Sequence, residues 1–116
     1  MRHHHKGRTF GRSHDQRTAL LKGLMRSLII HERISTTEAK AKELRPHIEK
    51  LVTRARKDTV ANRRLVTARL GDADAVDKLF TAIAPRYAER EGGYTRIIKR
   101  AATATDGRKT AYIAFV

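Results

Sequence analysis

The chain has 116 residues, with 26 Lys and Arg against 12 Asp and Glu, a formal net charge of +14 and no cysteine. This length suits one domain with one modest core, and the lack of cysteine excludes a disulfide framework and any Cys-based metal site. No apolar run approaches membrane-spanning length and no signal-peptide pattern opens the chain, so a cytoplasmic protein without a membrane partner is expected. The charge excess points to a polyanionic partner.

Met1 to Arg12 carries Arg2, Lys6, Arg8 and Arg12, three adjacent histidines, two glycines and no acid. It has neither helical nor strand periodicity, and a segment this cationic cannot bury enough apolar surface to fold alone. It reads as a basic arm, residues 1–12, ahead of one α/β domain, residues 13–116. His3, His4 and His5 match a metal tract by composition. Three successive side chains do not converge on one ion without unusual backbone geometry, so no metal is expected; a purification-tag fragment is the blander reading.

Ser13 followed by Gln16 has capping-box spacing. Leu20, Leu21, Leu24, Met25, Leu28 and Ile29 then form one stripe, which predicts a helix from about His14 to Ile30, with Arg17, Lys22 and Arg26 on its other face. Arg33 to Thr37 is short and β-prone, a candidate edge strand. From Thr36 to Lys57, Ala41, Leu44, Ile48, Leu51, Val52 and Ala55 recur at helical intervals. Thr36 or Thr37 can cap this long helix, which is expected to form the floor of the core. Pro46 lies well inside it and is expected to bend it.

Asp58 is a candidate cap for a third helix, with Val60, Leu65, Val66 and Leu70 turned inward and Gly71 at its end. Asp72 caps a fourth, with Val76, Leu79, Phe80 and Ile83 at core spacing and Pro85 near its stop. Asp72, Asp74 and Asp77 make an acidic pole expected to face away from any polyanion. After Gly92-Gly93 the period changes. Two β-prone runs flank a turn at Asp106-Gly107, which predicts a hairpin; Tyr94, Arg96, Ile98 and Arg100 share one face of its first strand.

Catalysis has little to stand on. There is no G-x-S-x-G context and no Walker loop, and His31 and His47 are isolated. A small RNA-modifying enzyme would need a cofactor pocket that these residues do not assemble. The basic clusters say more. Arg63, Arg64 and Arg69 lie on the third helix, and Arg86, Arg90, Arg96, Lys99 and Arg100 flank the Gly-Gly turn. A guanidinium fork suits phosphate oxygens and its face stacks on bases, and Tyr94 beside Arg96 adds an aromatic. The residues expected at a nucleic-acid interface are Arg2, His3, Lys6, Arg8, Arg12, Arg17, Arg63, Arg64, Arg69, Arg86, Tyr94, Arg96, Lys99 and Arg100, and little in the apolar spacing distinguishes RNA from DNA. No zinc finger or RNP motif is present.

Met1-Arg2-His3, Gly7-Arg8, Arg12 and Ile34-x-Thr36-Thr37-x-x-Lys40-Ala41-Lys42-Glu43-Leu44 carry a family resemblance. So do Val60-Ala61-Asn62-Arg63-Arg64-Leu65, Pro85-Arg86, Gly92-Gly93-Tyr94-Thr95-Arg96-Ile97 and Ala111-Tyr112-Ile113. In order along nearly the whole chain, they resemble the bacterial large-subunit ribosomal protein family numbered seventeen. The resemblance implies an α/β two-layer domain, an α+β fold with about four helices on a small mixed sheet. It also implies a structural role in the large ribosomal subunit, with 23S ribosomal RNA and neighbouring ribosomal proteins as partners near the exit of the nascent-peptide tunnel. His4 and His5 depart from the Arg or Lys more usual in the family. No cofactor or small-molecule substrate is expected. A basic architectural DNA-binding protein is the rival reading, since charge serves it equally well.

Overall fold

The computed structural model describes residues 13–100 and 109–116; the basic segment 1–12 and the expected Asp106-Gly107 turn lie outside them. Helix α1 spans His14–His31, strand β1 Arg33–Thr37 and helix α2 Glu38–Ala55. Helices α3, Val60–Leu70, and α4, Ala73–Lys78, follow, and strands β2, Thr95–Lys99, and β3, Thr110–Phe115, close the fold. The helices pack on a three-stranded sheet of order β1-β3-β2.

Local chemistry sets the boundaries. Ser13 caps α1 through the full capping box, its hydroxyl accepting from the Gln16 amide while the Gln16 side chain accepts from the Ser13 amide. Thr37 caps α2, accepting from the Lys40 amide. The cap of α3 is Thr59, not the Asp58 expected: Thr59 accepts from the Asn62 amide at 3.1 Å, and Asp58 instead binds Arg63. Asp72 caps α4 as expected, accepting from the Asp74 and Ala75 amides. Gly71 ends α3 in the left-handed region, at φ 67°, where a side chain would be strained.

All six apolar positions read from the spacing of α2 are buried, four of them at 0 % exposure. The helix runs unbroken through Pro46. Inward positions on α3 are fewer than expected. Val66 and Leu70 are buried, but Val60 and Leu65 stay exposed. Val66 and Leu70 are four apart and share the buried side, whereas Leu65 falls beside that row and Val60 stands in the first turn. Beyond α4 the helix does not stop at Pro85. It widens to a π turn at Leu79–Ile83 and tightens to a 3-10 turn at Ala84–Tyr87, which together bury Leu79, Phe80, Ile83, Ala84 and Tyr87. Pro85 stands in the first positions of the 3-10 turn, where the helix changes pitch, and it brings no amide to bond back into the π turn.

Both strand pairings are antiparallel, whereas a mixed sheet was implied. The C-terminal strand β3 runs between β1 and β2, so β1 and β2 are parallel only at one remove. The inner face carries Ile34, Ile97, Ile113 and Phe115 against the helical core. A polar clamp joins α2 to β2: Thr95 donates its hydroxyl to Glu49 at 2.8 Å, and Arg45 donates to the Thr95 carbonyl at 3.3 Å. Burial pushes the Glu49 carboxyl up, but the Thr95 hydroxyl and amide outweigh it, so the group sits below the usual carboxylate range.

Leu51→Asp should abolish this packing. It places a charge without a partner at 5 % exposure, at a cost of several kcal/mol out of the ~5–15 typical of a small domain. Circular dichroism and thermal melting should show an unfolded or aggregated chain; unchanged melting would refute the assigned face of α2.

Candidate nucleic-acid interface

The cationic side chains divide by what faces them. Arg63 forms a bidentate pair with Asp58, at 2.6 and 2.9 Å, and lies over the Phe80 ring at 4.8 Å. Hydrogen bonding to Arg63 holds the Asp58 carboxyl below its ordinary range. Arg86 donates through both terminal nitrogens to Glu32, and Lys78 reaches the same carboxylate at 3.3 Å. Lys99 lies 3.5 Å from Glu38, which also receives Lys42 at 2.9 Å. Three of the residues expected at the interface are thus partly committed to the fold.

Tyr94 is a correction. It is 1 % exposed, with its hydroxyl 3.0 Å from that of Thr53 and its ring 5.2 Å from the Tyr87 ring. It precedes β2 and follows two glycines at φ 108° and 63°, so it does not share the strand's alternation. The buried ring cannot stack on a base. Among the described residues the aromatic on the outer face of the sheet is Tyr112, which the alternation of β3 separates from buried Ala111 and Ile113.

Arg96 and Arg100 do meet on one face, as expected, and a third guanidinium joins them. Cross-strand register aligns Arg33, Ala114 and Arg96 in one row, and Ser35, Tyr112 and Ile98 in the next. Arg100 follows, its amide donating to the Thr110 carbonyl. The Arg33 guanidinium lies 4.0 Å from the Tyr112 ring centroid and that of Arg100 5.2 Å, while Arg100 also donates to the Ser35 hydroxyl at 3.3 Å. None of these face residues is acidic. Arg33 opens the strand RISTT; only the β1–β3 pairing, which no local pattern specifies, shows it beside Tyr112.

A second cationic surface lies between helices. Arg17 on α1 and Arg69 on α3 line one groove with Lys22, Met25 and His47, and the carboxylate of Glu43 stands in the same groove. Met25, His47 and Arg69 also border an adjoining groove of about 560 Å³. Burial pushes the His47 imidazole down, with neighbouring Glu43 opposing. Arg64 is exposed on α3. Arg2, His3, Lys6, Arg8 and Arg12 lie outside the described residues. Among the described residues no group of three or more His, Asp or Glu is placed to hold a metal ion, and no helix is long and apolar enough to cross a membrane.

The Glu32 junction gives a pH signature. Hydrogen bonding from Arg86 is the largest influence, burial opposes it and Lys78 assists, moving the carboxyl from its ordinary 4.5 to about 2. A lowered folded value means the stabilisation is present above pH 4.5 and is lost as pH falls towards 2. Glu32→Gln should lower stability by about 1 kcal/mol near neutrality, given that both partners are partly solvated. The melting difference from the parent should shrink as pH falls below 4.5 and vanish only below pH 2; a difference independent of pH would remove the ion pair as its cause.

Comparison with known proteins matches residues 20–116 to the family Ribosomal protein L17. A relative from Sphingopyxis alaskensis, Large ribosomal subunit protein bL17, is 52 % identical over 116 residues, covering 100 % of this chain and 84 % of its own length.

Proposed function

We propose that this chain, which belongs to the ribosomal protein L17 family, is a structural constituent of the large ribosomal subunit that binds 23S ribosomal RNA and bridges its segments. Its compartment is then the cytoplasm, and its role is architectural, not catalytic. Neighbouring large-subunit proteins and the region near the peptide exit tunnel complete the reading.

Beyond membership, one observation carries it: Arg33, Arg96 and Arg100 share an exposed sheet face on which no carboxylate stands among the described residues. Arginine matches phosphate oxygens with a planar donor fork, and like charges gathered without counterions favour a polyanion. Arg17, Arg64 and Arg69 supply further cationic ground on the helical side. The DNA-binding reading rested on charge alone, which does not separate the two nucleic acids, whereas the family and its relative favour the ribosome. In this proposal the basic arm, residues 1–12, reaches RNA that the domain of residues 13–116 does not, and Arg2, His3, Lys6, Arg8 and Arg12 are its contacts.

Removing Met1 to Arg12 takes away four fixed positive charges, Arg2, Lys6, Arg8 and Arg12, and little apolar material. The shortened chain should keep its helix content and melting temperature. It should bind 23S ribosomal RNA more weakly, and its log affinity should fall less steeply with log salt, by roughly 0.7–0.9 for each phosphate that the arm no longer neutralises. A flat salt dependence for the full chain would reject the electrostatic reading. Equal affinity of the two chains would make the arm dispensable.

A further inference from the structure

We propose that the outer face of the sheet is a stacking platform for an unpaired RNA base, with Tyr112 as the surface that receives the base and Arg33, Arg96 and Arg100 as the holders of its flanking phosphates. This rests on the ribosomal-RNA reading above and adds to it a nucleotide-sized site.

Tyr112 stands on the central strand β3, between Ser35 on β1 and Ile98 on β2. Ile98 is 43 % exposed, so ring and side chain together make a flat apolar strip in the middle of a cationic face. The three arginines surround that strip: Arg33 and Arg96 stand in the row on one side, and Arg100 lies on the other. The ring is half-buried and its nearest cation is the Arg33 guanidinium, 4.0 Å from its centroid. An exposed cation–π contact is weaker than base–aromatic stacking. A base can therefore take the Arg33 position over the ring while that guanidinium swings to a phosphate. Arg100 has a second tie, to the Ser35 hydroxyl at 3.3 Å, which holds its fork near the strip.

The chemistry of the face selects among polyanions. An acidic polypeptide would match the arginines, but it has no use for a flat ring flanked by an exposed isoleucine. A-form duplex hides its base faces in the stack, and its deep, narrow major groove does not admit a three-stranded sheet. Unpaired nucleotides present a π-face and a phosphate at each step, and the face offers a partner for both.

The chain contains no tryptophan, so Tyr112→Trp in the full-length protein introduces a fluorophore that reports from this site alone. Oligoadenylate and intact 23S ribosomal RNA should quench the introduced indole, and a fully paired RNA of equal charge should not. Tyr112→Leu should weaken oligoadenylate binding about tenfold, while Tyr112→Phe, which keeps the ring, should bind like the parent. Far-ultraviolet circular dichroism checks that Tyr112→Leu folds; should it not, the quenching experiment decides by itself. Salt-sensitive binding of 23S ribosomal RNA with an unquenched indole would overturn the platform and leave the RNA reading standing. Equal quenching by duplex RNA or by polyglutamate would overturn the choice of an unpaired base. A parent chain that fails to bind 23S ribosomal RNA at all would bring down both.

Discussion

Helix α2 can cover one face of the sheet and no more. Its stripe from Ala41 to Ala55 fills the space above Ile34, Ile97, Ile113 and Phe115, and α1, α3 and α4 close around its flanks. A sheet buried on one side must place alternate residues in water on the other. In this chain those alternates are Arg33, Ser35, Arg96, Ile98 and Tyr112, with Arg100 beyond the end of the ladder. The cationic face is therefore a consequence of the core: the same period-two geometry that turns Ile113 inward turns Tyr112 outward. Central placement of β3 then brings residues from opposite ends of the chain within reach of one another.

Acidic side chains are scarce against this cationic surplus, and their positions explain which arginines belong to the fold. Glu32 stands at the end of α1 with φ 63°, a conformation that glycine would adopt without strain. Its carboxylate nonetheless gathers Arg86 and Lys78, and Lys78 also donates to the Ile30 carbonyl at 2.7 Å. Three elements meet there: the end of α1, α4 and the 3-10 turn. Glu49 fastens α2 to β2 through Thr95, and Asp58 fastens the start of α3 through Arg63. Arg63 and Arg86 are thus held at junctions between elements, whereas Arg96 has no carboxylate partner among the described residues. Surface ion pairs of this kind add little stability singly. Their greater effect here is to fix where the remaining charge points.

Helix positions were legible in the sequence because they rest on short-range signals. The α2 stripe, the Ser13 capping box and the Asp72 cap all involve residues three or four apart, and each stands where the spacing placed it. Asp58 misled because a carboxylate just ahead of a helix looks like a cap, yet it lies two residues before Val60, and Thr59 has the extended backbone the cap needs, at φ −121° and ψ 158°. Tyr94 misled through period two: alternation was extended one residue beyond the strand into a turn governed by Gly92 and Gly93. The contact of Arg33 with the Tyr112 ring joins residues far apart in sequence, and only the strand order creates it. Spacing alone could place Arg96 and Arg100 on one face, but it could not supply their neighbours.

Charge and shape act on different parts of recognition. Phosphate contacts supply affinity to any nucleic acid and weaken as salt rises, so they cannot by themselves favour ribosomal RNA over DNA. Discrimination requires groups whose geometry responds to something other than phosphate. On the helical side Arg17 stands on α1 and Arg64 and Arg69 on α3, so no ladder of hydrogen bonds joins the elements that carry them. The sheet differs because hydrogen bonds across β1-β3-β2 fix where Arg33 and Arg96 leave the backbone and set an aromatic ring between their row and Arg100. A preorganised surface loses less entropy on binding than a segment that must be ordered in the act. A basic arm of the composition of residues 1–12 would contribute reach and counterion release, with that ordering cost to offset. Division of labour follows from this physics: the rigid sheet is the better place for selectivity, and the arm the better place for added affinity.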